Sequence, residues 1–211
     1  MDSNIQINTF SRFTQVSRET ISSLKIYQEI LIEANKTLNL LGKSTINFIW
    51  NRHFLDSAQL IDFIDKNDKE MVDLGSGAGF PGLVVALLAK DRKIPLKIKL
   101  LEKSPKKAKF LQDVIKKLEL NVAVKNQNFF ENNFILKEDL ISARAFKPLN
   151  VILELINKKT KNFKKIFIFL GKTGKNELLQ ASKNWDIKYK QRMSVTSNDS
   201  FIIEVSKLIK K

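Results

Sequence analysis

Residues 71–82 read Met-Val-Asp-Leu-Gly-Ser-Gly-Ala-Gly-Phe-Pro-Gly, and their reading decides the fold. Met71 to Leu74 predict the end of a buried strand. Gly75, Gly77 and Gly79 then make a loop almost without side-chain bulk. Pro81 stands where a helix begins, and Leu83 to Ala89 continue it as an apolar run. A strand, a glycine loop and a helix in this order let the backbone approach a nucleotide-like ligand. They also aim free N–H groups at its polar end.

Two ligands fit overlapping letters. Gly77-Ala-Gly79-Phe-Pro-Gly82 satisfies the G-x-G-x-x-G dinucleotide fingerprint, a weak signal alone. Asp73-x-Gly75-x-Gly77-x-Gly79 satisfies the acid-x-G-x-G-x-G pattern of Rossmann-like S-adenosylmethionine (SAM)-dependent methyltransferases. The acid weighs the choice. A carboxylate at Asp73 repels a pyrophosphate, whereas SAM has no phosphate and carries an amino group and a sulfonium. Asp73 thus joins Gly75, Gly77 and Gly79 as a candidate cofactor contact, with a simple anchor for a tight turn as the alternative.

The chain has 211 residues, enough for one well-buried domain with an appendage. It has no cysteine, which excludes disulfides, thiolate metal sites and a cysteine nucleophile. Its single histidine, His53, leaves no histidine-based metal centre to expect. The opening Met-Asp-Ser-Asn-Ile-Gln has no basic region followed by an apolar core, so no signal peptide is expected. The apolar run Leu83–Ala89 is too short to span a bilayer, and a cytoplasmic location is expected.

Net charge is +15, unevenly spread. Residues 90–125 hold 12 Lys/Arg against 4 Asp/Glu, and residues 158–175 hold 7 against none. Clustered cations gain affinity for a polyanion by releasing its counterions, which points to nucleic acid. A lysine-rich composition explains the number of cations better than the missing acids.

The first seventy residues read as helices. Ile21, Leu24, Tyr27, Leu31 and Ala34 form one stripe, and a second helix is predicted over Ile49–Ile64. A helical region over residues 1–68 is expected to pack on a core over 69–211 as one unit. Strands are predicted over Leu96–Leu101, Asn121–Lys125, Asp139–Ala143, Lys165–Leu170, Trp185–Lys190 and Phe201–Val205. Ser104-Pro105 opens a helix whose stripe is Ala108, Leu111, Ile115 and Leu118, and Leu149–Lys158 is another. The expectation is an α/β fold with a seven-stranded, mostly parallel sheet, a hairpin-like edge and an N-terminal helical cap.

Glu102 ends the second strand, where an acid accepts hydrogen bonds from ribose hydroxyls in Rossmann-like sites. Asn128 and Phe129 follow the third strand and could offer adenine backbone hydrogen bonds and an apolar face, or simply plug the core. After the fourth strand comes Ser142-Ala-Arg-Ala-Phe-Lys-Pro148. It lacks the Asn/Asp-Pro-Pro-aromatic motif common among enzymes that methylate exocyclic amines. Without a cysteine nucleophile, what remains is an atom already nucleophilic when neutral, such as guanine N7. Displacement there needs orientation and electrostatics but no general base. Arg144 could bond O6, a phosphate or the SAM carboxylate, or form a structural ion pair. Phe146 could stack on a base. His53, Asp56 and Ser57 fall on one helical face, with His53 read as a catalyst or a packing residue. Lys106, Lys109, Lys172 and Lys175 are candidate RNA contacts.

Arg52-His-Phe-Leu-Asp-Ser57, Val72-Asp-Leu-Gly-Ser-Gly-Ala-Gly-Phe-Pro-Gly82 and Ala143-Arg-Ala-Phe146, in this order, resemble the bacterial 16S ribosomal RNA guanine-N7 methyltransferases. The resemblance covers nearly the whole chain. It implies the Rossmann-like class I methyltransferase fold and SAM contacts at Gly75, Phe80, Asn128-Phe129 and Arg144. It also implies 16S rRNA or the 30S subunit as partner; no membrane, no metal and a monomer are expected besides. Asn128-Phe129 departs from the Ala-Glu usual in that family, so any role of the glutamate side chain is lost. An NAD(P)-dependent oxidoreductase and a non-catalytic rRNA-binding protein are the alternatives.

Overall fold

The computed structural model describes residues 3–131, 134–160 and 162–211. Met1, Asp2, Asn132, Asn133 and Lys161 therefore lie outside the described residues. The elements run α1 (Ser3–Thr14), α2 (Arg18–Leu38), α3 (Asp56–Ala58), β1 (Glu70–Leu74), α4 (Gly82–Asp91), β2 (Lys97–Glu102), α5 (Pro105–Lys117), β3 (Val122–Asn126), β4 (Leu140–Arg144), α6 (Leu149–Lys159), β5 (Lys165–Leu170), α7 (Gly174–Asn184), β6 (Trp185–Met193) and β7 (Phe201–Lys210). The sheet order is β3-β2-β1-β4-β5-β7-β6. Neighbours among β1–β5 pair in parallel, and β7 is antiparallel to both β5 and β6.

Side-chain alternation along β1 divides the interior. Met71 faces a core shared with α4, α5 and the N-terminal helices, while Val72 and Leu74 face one built with α6 and β5. Helix α4 explains why the first layer is double. Every residue from Gly82 to Ala89 is buried, because the sheet covers one side and residues such as Leu24, Leu31 and Leu60 belong to the core on the other. A helix apolar on all sides needs cover all round. The N-terminal region provides it. The Ser17 hydroxyl caps α2 by accepting from the Thr20 amide, and Ser17 and Thr20 hydroxyls donate to Asp91 at the far end of α4 (2.5 and 2.7 Å).

The helix predicted over Ile49–Ile64 is not one regular α-helix. Ile46–Phe48 is a 3₁₀ turn, Ile49–Leu55 a π-helix, Asp56–Ala58 α and Gln59–Phe63 3₁₀ again. The wide turn carries Trp50 and Phe54 into the core and His53 toward the glycine loop. Such π segments often occur at functional sites. Helix α7 has no counterpart among the sequence predictions. Only Gly174 and Ala181 are buried in it, so no apolar stripe announces it. Strands β6 and β7 also run past their predicted ends, since most of β6 is exposed and shows little apolar alternation.

Tyr27 joins the N-terminal layer to the glycine loop. Its hydroxyl donates to the Ala78 carbonyl, and its ring packs on Phe54 and Phe80 at 5.4 and 5.7 Å. Burial, then the charge of Asp73, pushes its pKa well above 10, so it stays a donor. Tyr27→Phe leaves that buried carbonyl without its donor. It is expected to lower the unfolding free energy by about 1–3 kcal/mol in a urea titration; an unchanged midpoint would contradict this link.

Candidate functional site

A cleft of about 370 Å³ opens at the carboxyl ends of β1, β2 and β4. Gly75–Ala78 and Phe80 form its floor, and Glu102, Lys103 and Lys107 one side. Phe129, Phe130 and Arg144–Lys147 form the other, with Leu40, Leu41 and His53 reaching in from the N-terminal region. Ligands of open α/β sheets bind at this end of the strands.

The loop works differently from the sequence expectation of free N–H groups. Ser76 N–H donates to the Leu101 carbonyl (3.0 Å), and Gly77 N–H to Glu102 Oε2 (2.9 Å). Gly79 and Phe80 N–H groups both donate to the Ser76 carbonyl (2.6 and 3.3 Å). These donors are spent inside the protein, and a carboxylate stands beside them. A pyrophosphate would meet negative charge where a dinucleotide site offers amides. What the glycines provide is close approach. Gly75 has φ +68°, and a Cβ there would collide with the Phe146 ring.

Three candidate contacts have distinct places. Asp73 does not line the cleft; it is fully buried behind the loop, on the α4 face of β1. Oδ1 accepts from the Ser142 hydroxyl (2.7 Å), its cross-strand neighbour, and Oδ2 from the Gly82 N–H (3.4 Å). It braces the strand–loop–helix turn, and burial raises its pKa to about 6 against those hydrogen bonds. Gly79 is likewise turned inward, where a Cβ at φ +97° would strike Leu83 and the Tyr27 hydroxyl. Glu102 does line the cleft. Its oxygens accept from Gly77 and Ser104 N–H (2.9 and 2.8 Å), leaving lone pairs for further donors.

Arg144 ends β4 between two cavities, the cleft and a smaller one of about 210 Å³. Its Nη2 meets Asp56 Oδ2 at 2.9 Å and donates to the Arg52 carbonyl at 2.6 Å, while Nη1 donates to Ser57 Oγ at 3.3 Å. The guanidinium lies near the Phe80 and Phe169 rings, at 5.8 and 5.7 Å from their centroids. Of the alternatives open from sequence, the structure displays the ion pair, in a residue that also walls the cleft. The next residue, Ala145, has φ +48°, a conformation that a non-glycine residue seldom adopts.

His53 stacks on Phe80 (5.1 Å between centroids, 18° between planes). Burial, with Arg144 and Arg52 nearby, lowers its pKa to about 3, so the imidazole is neutral at working pH. Its Nε2 is buried with no hydrogen-bond partner among the described residues.

Phe129 is buried edge-on to Phe146 at 4.8 Å, whereas Asn128 is exposed, its Oδ1 accepting from Phe130 N–H (3.2 Å). Lys106 and Lys109 lie on the exposed face of α5, and Lys109 pairs with Asp113 at 2.6 Å. Neither lines the cleft; Lys103, Lys107 and Lys147 do. Lys172 is exposed and 3.7 Å from Asp199, and Lys175 opens onto a separate groove with Tyr189 and Gln191. The missed contributors Leu40 and Leu41 carry no local signal, because only chain packing brings them over the loop. Asp56 was marked by its motif but not by its role. Among the described residues, no group of three or more His, Asp and Glu could hold a metal ion.

The cleft fits SAM. Its loop needs no phosphate, Glu102 can accept further hydrogen bonds, and the orphaned His53 Nε2 lies in its wall. A family model described as rRNA small subunit methyltransferase G matches residues 20–202. The ribosomal RNA small subunit methyltransferase G of Pelagibacter ubique is 39% identical over 93% of this chain and 92% of its own. The protein of the same name from Rickettsia akari is 35% identical, over 93% of this chain and 98% of its own. Among solved structures, M. capricolum TrmK in complex with S-adenosyl-homocysteine superposes with a TM-score of 0.54 at 19% identity, over 72% of this chain and 67% of that one. A SAM-dependent methyltransferase from Aquifex aeolicus gives 0.55 at 14% identity, over 85% and 98%. The fold is that of the class I SAM-dependent methyltransferases.

The raised pKa of Asp73 has a measurable sign. Between pH 4 and 6 the folded state holds a proton that the unfolded chain has released, so this group's contribution to stability is lost as pH rises through about 6. Asp73→Asn cannot titrate. Its stability relative to the wild type is expected to rise between pH 4 and 7, by on the order of 3 kcal/mol. Urea unfolding at each pH checks this, and a flat or falling difference would refute it.

Proposed function

From the premise that the chain belongs to the rRNA small subunit methyltransferase G family, and is a SAM-dependent methyltransferase of 16S ribosomal RNA, we propose that its acceptor atom is N7 of a guanine. The observation that carries this reading is the set of groups around the cleft. The chain has no cysteine, His53 has a pKa near 3, and Asp73 is sealed behind the loop. The Glu102 carboxylate faces the Gly77 and Ser104 amides at the floor. Such a site is poor at removing a proton or forming a covalent adduct with a base. Guanine N7 needs neither, because its lone pair is free in the neutral ring.

When bound, SAM supplies a methyl group activated by a sulfonium. Gly75 and Gly77 would leave room for it, and Glu102 would accept hydrogen bonds from its ribose hydroxyls. Phe129 and the Asn128 backbone would hold its adenine, and Phe80 closes the floor. Arg144, whose orientation is set before substrate arrives, borders the reacting atoms and can donate to guanine O6, which holds N7 toward the methyl group. A fixed dipole or charge costs no reorganisation during the reaction. Phe146 offers the target base a ring to stack on. Lys103, Lys107 and Lys147 meet phosphates at the cleft mouth, and Lys106, Lys109, Lys172 and Lys175 extend the basic surface. Among the described residues no helix is long and apolar enough to cross a membrane, and an rRNA substrate supports reading the cytoplasm as the enzyme's place of work.

The test uses methyl-labelled SAM with 30S particles and 16S RNA from a strain lacking the enzyme, followed by mass spectrometry of the nucleosides. Label is expected on guanine N7; label on another atom, or none, overturns the assignment. The basic rim is checked separately. Replacing Lys103 and Lys107 by Ala is expected to weaken RNA binding and reduce the slope of log K against log salt by up to about 2. Affinity for S-adenosylhomocysteine, measured by calorimetry, is expected to stay within about twofold.

A further inference from the structure

The loop between β6 and β7 holds the Asp56–Arg144 pair from behind. Asp56 is 138 residues from Ser194, yet the Ser194 hydroxyl donates to Asp56 Oδ1 at 2.8 Å. The same oxygen accepts from Gln59 Nε2 (2.9 Å) and Thr196 Oγ1 (3.2 Å). Gln59 also fixes the loop itself, accepting from Val195 N–H at 3.0 Å, and the loop is closed by Ser194 N–H donating to the Ser200 carbonyl at 2.8 Å. Ser194, Asp56 and Gln59 are all buried.

This arrangement divides the labour between two carboxylate oxygens. Three donors grip Oδ1, which orients the carboxylate and leaves Oδ2 to Arg144 Nη2. An ion pair without such a grip can rotate as a unit; a carboxylate held at its far oxygen cannot. Ser57 Oγ and the Arg52 carbonyl add two further fixed points on the guanidinium. Ser194 does not line the cofactor cleft; it lines the smaller cavity beside Asp56 and Arg144 and bonds Asp56 directly.

We propose that Ser194 is a positioning residue for methyl transfer, acting through Asp56 to hold Arg144 in register with the reacting atoms. The C-terminal hairpin, outermost in the sheet and far from the glycine loop in sequence, thereby becomes part of the catalytic apparatus. This rests on the reading of Arg144 as bordering the reacting atoms. Misplacement of a catalytic group by about 1 Å can cost up to about 100-fold in rate. Loss of one of three donors is expected to cost less, roughly tenfold.

Ser194→Ala removes the hydroxyl without adding bulk. The expected result is kcat for 16S RNA methylation lowered roughly tenfold, with KM for RNA and the affinity for S-adenosylhomocysteine within about twofold of wild type. Thr196→Val removes the longer bond and is expected to lower kcat in the same way but less. Should Ser194→Ala fail to fold, Thr196→Val decides by the same split. A lowered thermal midpoint with unchanged kcat marks a purely structural contact and overturns the proposal. A wild-type chain that methylates no rRNA overturns the underlying reading, and this inference with it. An active wild type matched by equally active variants overturns the inference alone.

Discussion

A helix that is apolar on every side cannot lie on a sheet with one flank in water. Helix α4 is such a helix, buried from Gly82 to Ala89, and much of the molecule follows from covering it. The sheet provides one wall and the N-terminal helices the other. The latter therefore form part of the same core. Covering α4 also draws Tyr27, Phe54 and His53 against the glycine loop at its start, so the cleft is walled by both ends of this double layer. Stability and ligand binding share these contacts.

The charges around the loop follow a consistent logic. Asp73 sits in the low-dielectric layer, where burial favours its protonated form and the hydrogen bonds from Ser142 and Gly82 favour its charge. Its work is to join β1, β4 and α4 at their common corner. Glu102, one strand away, faces the cleft and occupies the Gly77 amide. Two acids flanking a glycine loop, one behind and one in front, leave it hospitable to a ligand without phosphate. The surrounding cations Lys103, Lys107 and Lys147 lie at the mouth, where a polyanion can reach them.

Much of this was legible in the linear chain. The β/α alternation, the glycine loop, the capped start of α5 at Ser104-Pro105 and the antiparallel edge all carry local signals, and the structure has each of them. Helix α7 was not legible, because two buried residues make no stripe. Nor was the irregular pitch of residues 46–63, since hydrophobic spacing there is compatible with an ordinary α-helix. The candidate site was read better by residue type than by contact. Glu102, Phe80, His53, Phe129, Phe146 and Arg144 do wall the cleft, while Asp73 and Gly79 support it from behind. Lys103 and Lys107, not Lys106 and Lys109, face the cleft, because helical spacing shows which side chains are exposed but not which exposed ones face a cavity.

The sequence by itself determined the class of fold and the ligand chemistry. Glycines at three alternate positions after an apolar strand, an acid before them and an absent cysteine are properties of single residues and short spacings. Tertiary structure alone decided which groups those residues answer to. Asp73 became a brace because strand alternation turns it toward α4, and Arg144 acquired Asp56 because a π turn and the start of α3 bring that carboxylate to the end of β4. Ser194 reached Asp56 because the hairpin folds back across 138 residues of chain. Hydrogen bonds act over a few ångströms and chain separation places no limit on them, so no local pattern could have announced these partners.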